Sequence, residues 1–479
     1  MLRRIIIALS IVVLLATACS SSEEVADDND GGFTPPNVQI LPPADPNGPG
    51  GDADPDAEAE PVEDPDDGRL VIQHADGQLS TMLPDGSDTV ELTDPGTSNS
   101  QATWAPDGSR VAWVQVDAAG VTTIALDRFD RSDTRNLTID EQPTYLYWDP
   151  AAARLAYFSN DEAGTDLHVV EPFGEDGPTE RRIDRGQPFF ASWGPNGDEL
   201  LVHASGFRLD QIDLGEATLI VDEFPAQFGS PTWVADDTLV FADIEDDQQF
   251  LVTTGSSGEG RRPLITYEGE LRFVVSNEGN RIVMQALPSE EQDDPVVTAS
   301  TEPRDPVELE FAFQAEPTPT PEFDDSLDSI DPIEQGIPYI MGSFGGDPFP
   351  LSNVPAVAFF PSPDGQAAAW LEPLPGAVDE NTMVLRVDTG NLPGITSVPF
   401  IPSQVMLDEY LPNFDQYTQS HDYWSPSSNL FVYAGRELGE DTDGIYLLDL
   451  TTGQTTRLAD GVAASFTRTP QAAGAASAL

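Results

Sequence analysis

A chain of 479 residues with 39% hydrophobic side chains is long enough to bury one large all-β body or two smaller domains. Its 84 Asp and Glu face only 21 basic residues, all of them Arg, for a formal net charge of −63. A field of that sign repels phosphate backbones, which excludes DNA and RNA as partners, and it disfavours unaided docking on an anionic membrane leaflet.

The chain opens on an export signal, Met1 to Ala18, in which Arg3 and Arg4 form the cationic start and Ile5 to Leu15 an unbroken apolar run. Continued to Ala18, that run is still short of the roughly 20 residues that a membrane-spanning helix requires. The next residue, Cys19, is the only cysteine, so no internal disulfide can form. Leu15-Ala16-Thr17-Ala18-Cys19 followed by three serines resembles the lipobox of bacterial lipoproteins, with Ala16 where that family most often has Leu. The resemblance implies cleavage before Cys19, acylation of that residue as the lipid-attachment site, and an extracytoplasmic chain anchored to the bacterial cell membrane.

Residues 19–68 read as a tether. From Glu23 to Asp67 it carries 15 acids and nine prolines, too little apolar surface to offset chain entropy. From Arg69 the composition changes to short apolar runs separated by Asp-Gly, Pro-Asp-Gly and Asn-Gly turns, the rhythm of an all-β body expected over residues 69–468. Two stretches interrupt it: about 288–336, acidic and containing Pro317-Thr318-Pro319-Thr320-Pro321, and about 399–420, where Pro alternates with Phe and Tyr. Both are expected as insertions emerging from one face, and residues 469–479 as a disordered tail.

Within the body one unit recurs: Trp104-Ala105-Pro106-Asp107-Gly108 leading into Val111-Ala112-Trp113-Val114. Pro fixes φ, Asp bonds its own backbone, and Gly supplies the positive φ that closes a hairpin. The unit returns at Trp148, Trp193, Trp233, Val275, Pro361 and Trp424, at intervals of 44, 45, 40, 42, 86 and 63 residues. Four of these match a propeller blade of about 40 to 45 residues, and the two long ones contain the insertions. Leu70 to Thr93 looks like a blade lacking its first strand, which Ala463-Ala464-Ser465-Phe466, 42 residues beyond Trp424, would supply. The expectation is a single β-propeller of seven to eight four-stranded blades, eight favoured, closed by pairing its two ends so that no strand edge stays open. Trp104, Trp148, Trp193, Trp233, Trp424 and Phe466 are expected to be structural anchors wedged between blades. The Trp-Ala-Pro-Asp-Gly element resembles the WD40-like repeat of TolB-type propellers, a likeness specific for fold. In TolB the propeller is a protein-docking module of the bacterial envelope and follows a second domain, for which no counterpart is expected here.

Chemistry is sparse. No Gly-x-Ser-x-Gly occurs, and the sequence runs only 13 residues beyond Phe466, so a peptidase with a hydrolase domain after the repeats is not expected. The four histidines, His74, His168, His203 and His421, lie in different units at no metal-ligand spacing. The first three fall on strands and His421 in the second insertion. Two acidic turns, Glu440 to Gly444 and Asn160 to Asp166, carry oxygen-rich side chains that could hold calcium. Arg181, Arg182 and Arg185, with Arg261 and Arg262, are expected to balance neighbouring carboxylates. The reading is therefore a non-catalytic envelope lipoprotein, without cofactor or bound metal, whose propeller docks an envelope protein or polymer; its oligomeric state is open. Two rivals remain. A propeller enzyme acting on glycans or esters would use Asp, Glu and His421 at the central channel, and it requires polar groups with shifted pKa values at the channel mouth; a plugged channel would count against it. A calcium or solute sensor is the other.

Overall fold

The repeat owes its geometry to one turn. After Trp104, Gly108 sits at φ 69° and donates its N–H to the Ala105 carbonyl at 2.8 Å, while Asp107 accepts from the Ser109 N–H at 2.9 Å. Gly197 and Gly365 repeat the conformation at φ 72° and 65° after Trp193 and Pro361. Where the sequence lacks the glycine, Ala152 and Ser428 adopt it, at φ 55° and 62°. A turn that forces non-glycine residues into the left-handed region is held by the strands on either side of it.

The structure is a computed structural model describing residues 67–469 except 140, 162–163, 175–176, 188, 206–207, 215, 222–228, 236–237, 246–247, 288–296, 300–334 and 391–395. The expected export signal, Cys19, nearly all of the expected tether, most of the first insertion and all of the expected tail but Thr469 lie outside the described residues. Within them, antiparallel strands form seven sheets, one of them seven-stranded. That sheet is two blades joined where Thr396–Pro402 pairs with Leu430–Glu437, so the body is a β-propeller of eight blades.

Blade 1 is the composite expected from the two ends. Ala463–Phe466 pairs with Leu70–Gln73 in the register Leu70↔Phe466 and Gln73↔Ala463. The seam continues as Thr467 N–H bonds Arg69 O at 2.8 Å and Arg69 N–H bonds Thr467 Oγ1 at 3.0 Å. The innermost strands of blades 2 to 7 are Ser98–Trp104, Pro143–Trp148, Phe189–Trp193, Thr232–Ala235, Glu270–Val275 and Ala358–Pro361. Blade 8 reduces its inner strand to a bridge, Trp424↔Phe431.

The two long intervals have different causes. The first insertion lies inside blade 6, between Arg281–Leu287 and Ile337–Gly342, which pair directly; of it, Val297–Ala299 adds a fifth strand to blade 5. Among the described residues of the 86-residue spacing there is no further blade. The second stretch departs from expectation more sharply. Thr396–Pro402 is an ordinary fourth strand of blade 7, and residues 403–421 do not emerge from a face but turn inward in short helical turns, Met406–Tyr410, Leu411–Asn413 and Phe414–Tyr417. Tyr410, Leu411, Phe414 and Tyr417 are buried there.

Candidate functional site

Residues 403–421 fill the central channel and touch the inner strand of every other blade. Met406, Tyr410 and His421 line one small cavity with Ala463, Ala464 and Ser465 of blade 1, and Ser403 Oγ donates to Val462 O just before that strand. Thr103 of blade 2 donates to Ser420 O at 2.8 Å, and Tyr417 Oη donates to Thr144 O of blade 3 at 3.2 Å. Arg272 of blade 6 donates to Pro412 O at 2.9 Å, and Phe359 of blade 7 meets Phe414 edge-on at 4.8 Å.

Gln416 is the polar centre of this plug. Its amide accepts from Ala191 N–H at 3.0 Å and from Ser230 Oγ at 3.2 Å, and donates to Ala191 O at 2.9 Å and Tyr145 Oη at 3.0 Å. A side-chain amide reading a backbone N–H and C=O together behaves as one more strand residue, binding the plug to blades 3, 4 and 5. Beside it Asp415 is buried at 4% exposure; burial pushes its carboxyl pKa up, against the opposing pull of Arg272 and backbone N–H groups. His421 is sealed at 3% exposure, edge-on to Tyr410 at 5.3 Å and Tyr417 at 5.4 Å, with Ser420 Oγ 2.7 Å from Nδ1. Burial pushes its pKa down to about 3, so it stays neutral and out of solvent's reach.

Above the plug the channel mouth opens into a cleft of about 580 Å³, at the end of the inner strands opposite the Pro-Asp-Gly turns. Its walls are the starts of the inner strands of blades 2, 3 and 4, the turn around Asn160 and Thr165, and the plug's first helical turns. Tyr145, Phe158 and Phe189 form a buried floor, with Phe158 against Tyr145 at 5.0 Å and against Phe189 at 5.3 Å, while Phe190 is half-exposed. Gln142, Asn160, Gln187 and Asn413 are exposed around the rim. Glu409 is half-buried and accepts from Gln101 Nε2 at 2.9 Å; burial raises its pKa, and neighbouring Asp408 adds to the shift.

The anchors expected from the repeat lie on the blade seams. Trp104, Trp148, Trp193, Trp424 and Phe466 are each at most 5% exposed, and Trp233 is partly buried. Three indoles make the same bond: Trp104 Nε1 to Ser465 O at 3.3 Å, Trp193 Nε1 to Tyr147 O at 3.1 Å, and Trp424 Nε1 to Phe360 O at 3.0 Å. In each case the acceptor precedes the anchor position of the previous blade.

The acidic turns and the arginines meet one another. Arg185 bonds both oxygens of Asp166 and also Asp161, at 2.5 to 2.6 Å, and holds the Asp166 carboxyl below the usual range. Arg182 stands 3.6 Å from Asp166, and Arg261 pairs with Asp243 and Glu245. In the other turn Arg436 faces Asp443 at 3.2 Å, and Arg457 donates to Thr442 and to Asp443 O. In both turns expected as calcium candidates, guanidinium groups stand where a cation would. Glu141, Asp166 and His168 each bring a potential ligand atom within 4.8 Å of the others, but Arg185 already engages both Asp166 oxygens. His168 stacks on Tyr157 at 4.6 Å, His74 bonds Asp460 O and Ser80 Oγ at 2.8 Å each, and His203 lies 3.4 Å from Gly229 O. The histidines thus do not converge.

Sequence reasoning missed Gln101, Gln416, Asp408, Glu409 and Phe190, which sit in no repeated motif. One signal existed: Tyr410, Phe414 and Tyr417 follow a helical spacing in a chain otherwise patterned for strands.

No protein-family model matches the chain, and no curated protein matches it in sequence. Solved structures do. A eukaryotic initiation factor aligns at 9% identity and TM-score 0.51 over 84% of this chain and 99% of its own. TolB from Acinetobacter baumannii aligns at 12% identity and TM-score 0.32, over 60% of this chain and 64% of the TolB chain. The propeller domain of the Trilobed protease from Pyrococcus furiosus aligns at 14% identity and TM-score 0.39, over 76% and 98%. The fold is a β-propeller. At these identities the likeness concerns architecture alone, and this chain spans less than two thirds of TolB's length. Among the described residues no helix is long and apolar enough to cross a membrane.

Proposed function

We propose that the chain is an extracytoplasmic lipoprotein, anchored through Cys19 and held off the membrane by its acidic tether, whose propeller binds an envelope component without transforming it. The observation that supports binding rather than catalysis is the plug: residues 403–421 occupy the axis, and His421, the histidine an axial enzyme would use, is neutral and sealed beneath Tyr410 and Tyr417. Binding then falls to the cleft above the plug, on a platform fixed by three blades. One observation favours the enzymatic rival: burial raises the pKa of Glu409 in that cleft, a shift in the direction that favours a general acid. Its oxygen is nevertheless held by Gln101, and the neighbouring carboxylate, Asp408, is the preceding residue in the chain.

Two measurements test the proposal. Metabolic labelling with a tagged palmitate should mark the wild-type chain, and Cys19→Ala should lose the label and leave the membrane fraction. A photo-crosslinking residue placed at Asn160 or Gln187 should capture a ligand in intact cells, while one at Asp107, in the turns at the other end, should not. Capture at Asp107 alone, or turnover of a glycan or ester by the pure chain that Glu409→Gln abolishes, would refute it.

A further inference from the structure

The chemistry of the cleft narrows what it can hold. Its rim is built of side-chain amides, Gln142, Gln187, Asn160 and Asn413, each carrying a donor and an acceptor in one plane, with the hydroxyl of Thr165 among them. Its floor is aromatic, and Phe190 leaves part of its ring open to the space above. Among the described residues no Lys, Arg or His lines it, whereas Asp408 is exposed at the lip and Glu409 half-buried behind it. An anionic ligand would desolvate against two carboxylates with no cation to receive it, inside a chain of net charge −63. A purely apolar ligand would strip water from the amides of Gln142, Gln187 and Asn413, whereas Asn160 keeps the bond from the Thr165 hydroxyl. The inner strands lining the cleft are edge strands of their blades, and at Ala191 that edge is already taken by the Gln416 amide, which bonds both its N–H and its C=O.

What remains is a ligand that presents adjacent groups each able to donate and accept, on a body with a C–H face for an aromatic ring. Resting on the reading of this cleft as the binding site, we propose that it recognises a neutral saccharide segment, with Phe190 under a sugar ring and Gln187, Asn160 and Glu409 on its hydroxyls. The volume of about 580 Å³ lies within the roughly 300–1,000 Å³ of small-ligand sites, room for a short stretch of a polymer and not for a folded domain.

The test is titration of the full-length chain with neutral hexasaccharides (of α- and β-glucose, mannose, xylose and N-acetylglucosamine), with trigalacturonate as the acidic counterpart and hexa-arginine as the basic peptide. At least one neutral hexasaccharide should bind at millimolar concentration or below, and trigalacturonate should not. Phe190→Ala and Gln187→Ala should each weaken that binding about tenfold or more, the loss of one stacking or hydrogen-bonding contact. Asp107→Ala, at the other end of the strands, should leave it unchanged. Both rim variants remove exposed or half-exposed groups, and unaltered thermal unfolding would confirm that they remain folded. The proposal is overturned if none of the neutral sugars binds, if trigalacturonate or hexa-arginine binds in their place, or if the rim variants bind as tightly as the wild type. Crosslinks to a protein at Gln187 combined with no sugar binding would leave the cleft as the site and remove the saccharide; crosslinks at neither rim position would remove both.

Discussion

Trp193 and Trp148 occupy equivalent places in neighbouring blades but differ in one atom's fate. Trp193 Nε1 donates to Tyr147 O across the seam, whereas Trp148 Nε1 is buried without a partner and its ring lies parallel to Phe173 at 6.5 Å. Trp193→Phe should therefore lose packing and also strand a buried carbonyl, costing about 1–3 kcal/mol beyond the packing loss that Trp148→Phe shares. Urea unfolding midpoints of the two variants check this, and equal losses would count against the indole bond. His421 makes a second prediction. Its folded pKa of about 3 lies below the ordinary 6.5, so as the pH drops below 6.5 the unfolded chain takes up a proton that the folded chain refuses until about pH 3. Stability contributed by the neutral ring is complete above pH 6.5 and drains away between there and pH 3. Relative to wild type, the deficit of His421→Gln should thus shrink by about 2 kcal/mol between pH 7 and pH 5, and a deficit constant with pH would contradict the buried placement.

Elements differ in how openly the sequence declares them. The hairpin turns were legible because Pro, Asp and Gly each answer to a local backbone demand, and the same demand explains why Ala152 and Ser428 can stand in where strands on both sides enforce it. The closing strand was legible because Ala463 to Phe466 ends in an aromatic, as five of the seven other anchor positions do. Its weight is testable: Phe466, at 1% exposure and opposite Leu70, should cost about 3–5 kcal/mol when replaced by Ala, seen as a lowered unfolding midpoint. The plug was not legible as a plug. Its Pro, Phe and Tyr content reads like an exposed loop until one knows that seven other inner strands surround it, because burial of a segment inside a ring is a property of the ring. The same holds for Gln416, whose partners Tyr145, Ala191 and Ser230 come from three different blades. The cleft, assembled from blades 2, 3 and 4 and the plug, had no sequence signature for the same reason.

For the molecule as a whole, architecture and charge were readable from repetition and composition, whereas the site depended on contacts between distant parts of the chain. A net charge of −63 sets a long-range term that individual pairs such as Arg185 with Asp166 relieve only locally. Raising salt from low to moderate ionic strength should screen that self-repulsion and raise the melting temperature, and a fall would mean that the arginine pairs outweigh it. Central to the whole account is a channel closed from within by residues 403–421, which turns the propeller's mouth into its working surface. Hydrogen exchange of the full-length chain measures this directly. Amides of residues 414–421 should exchange as slowly as those of the inner strands around them, through global unfolding alone. If they exchange as fast as the exposed turn at Asp107, the channel is open and the cleft above it has no floor.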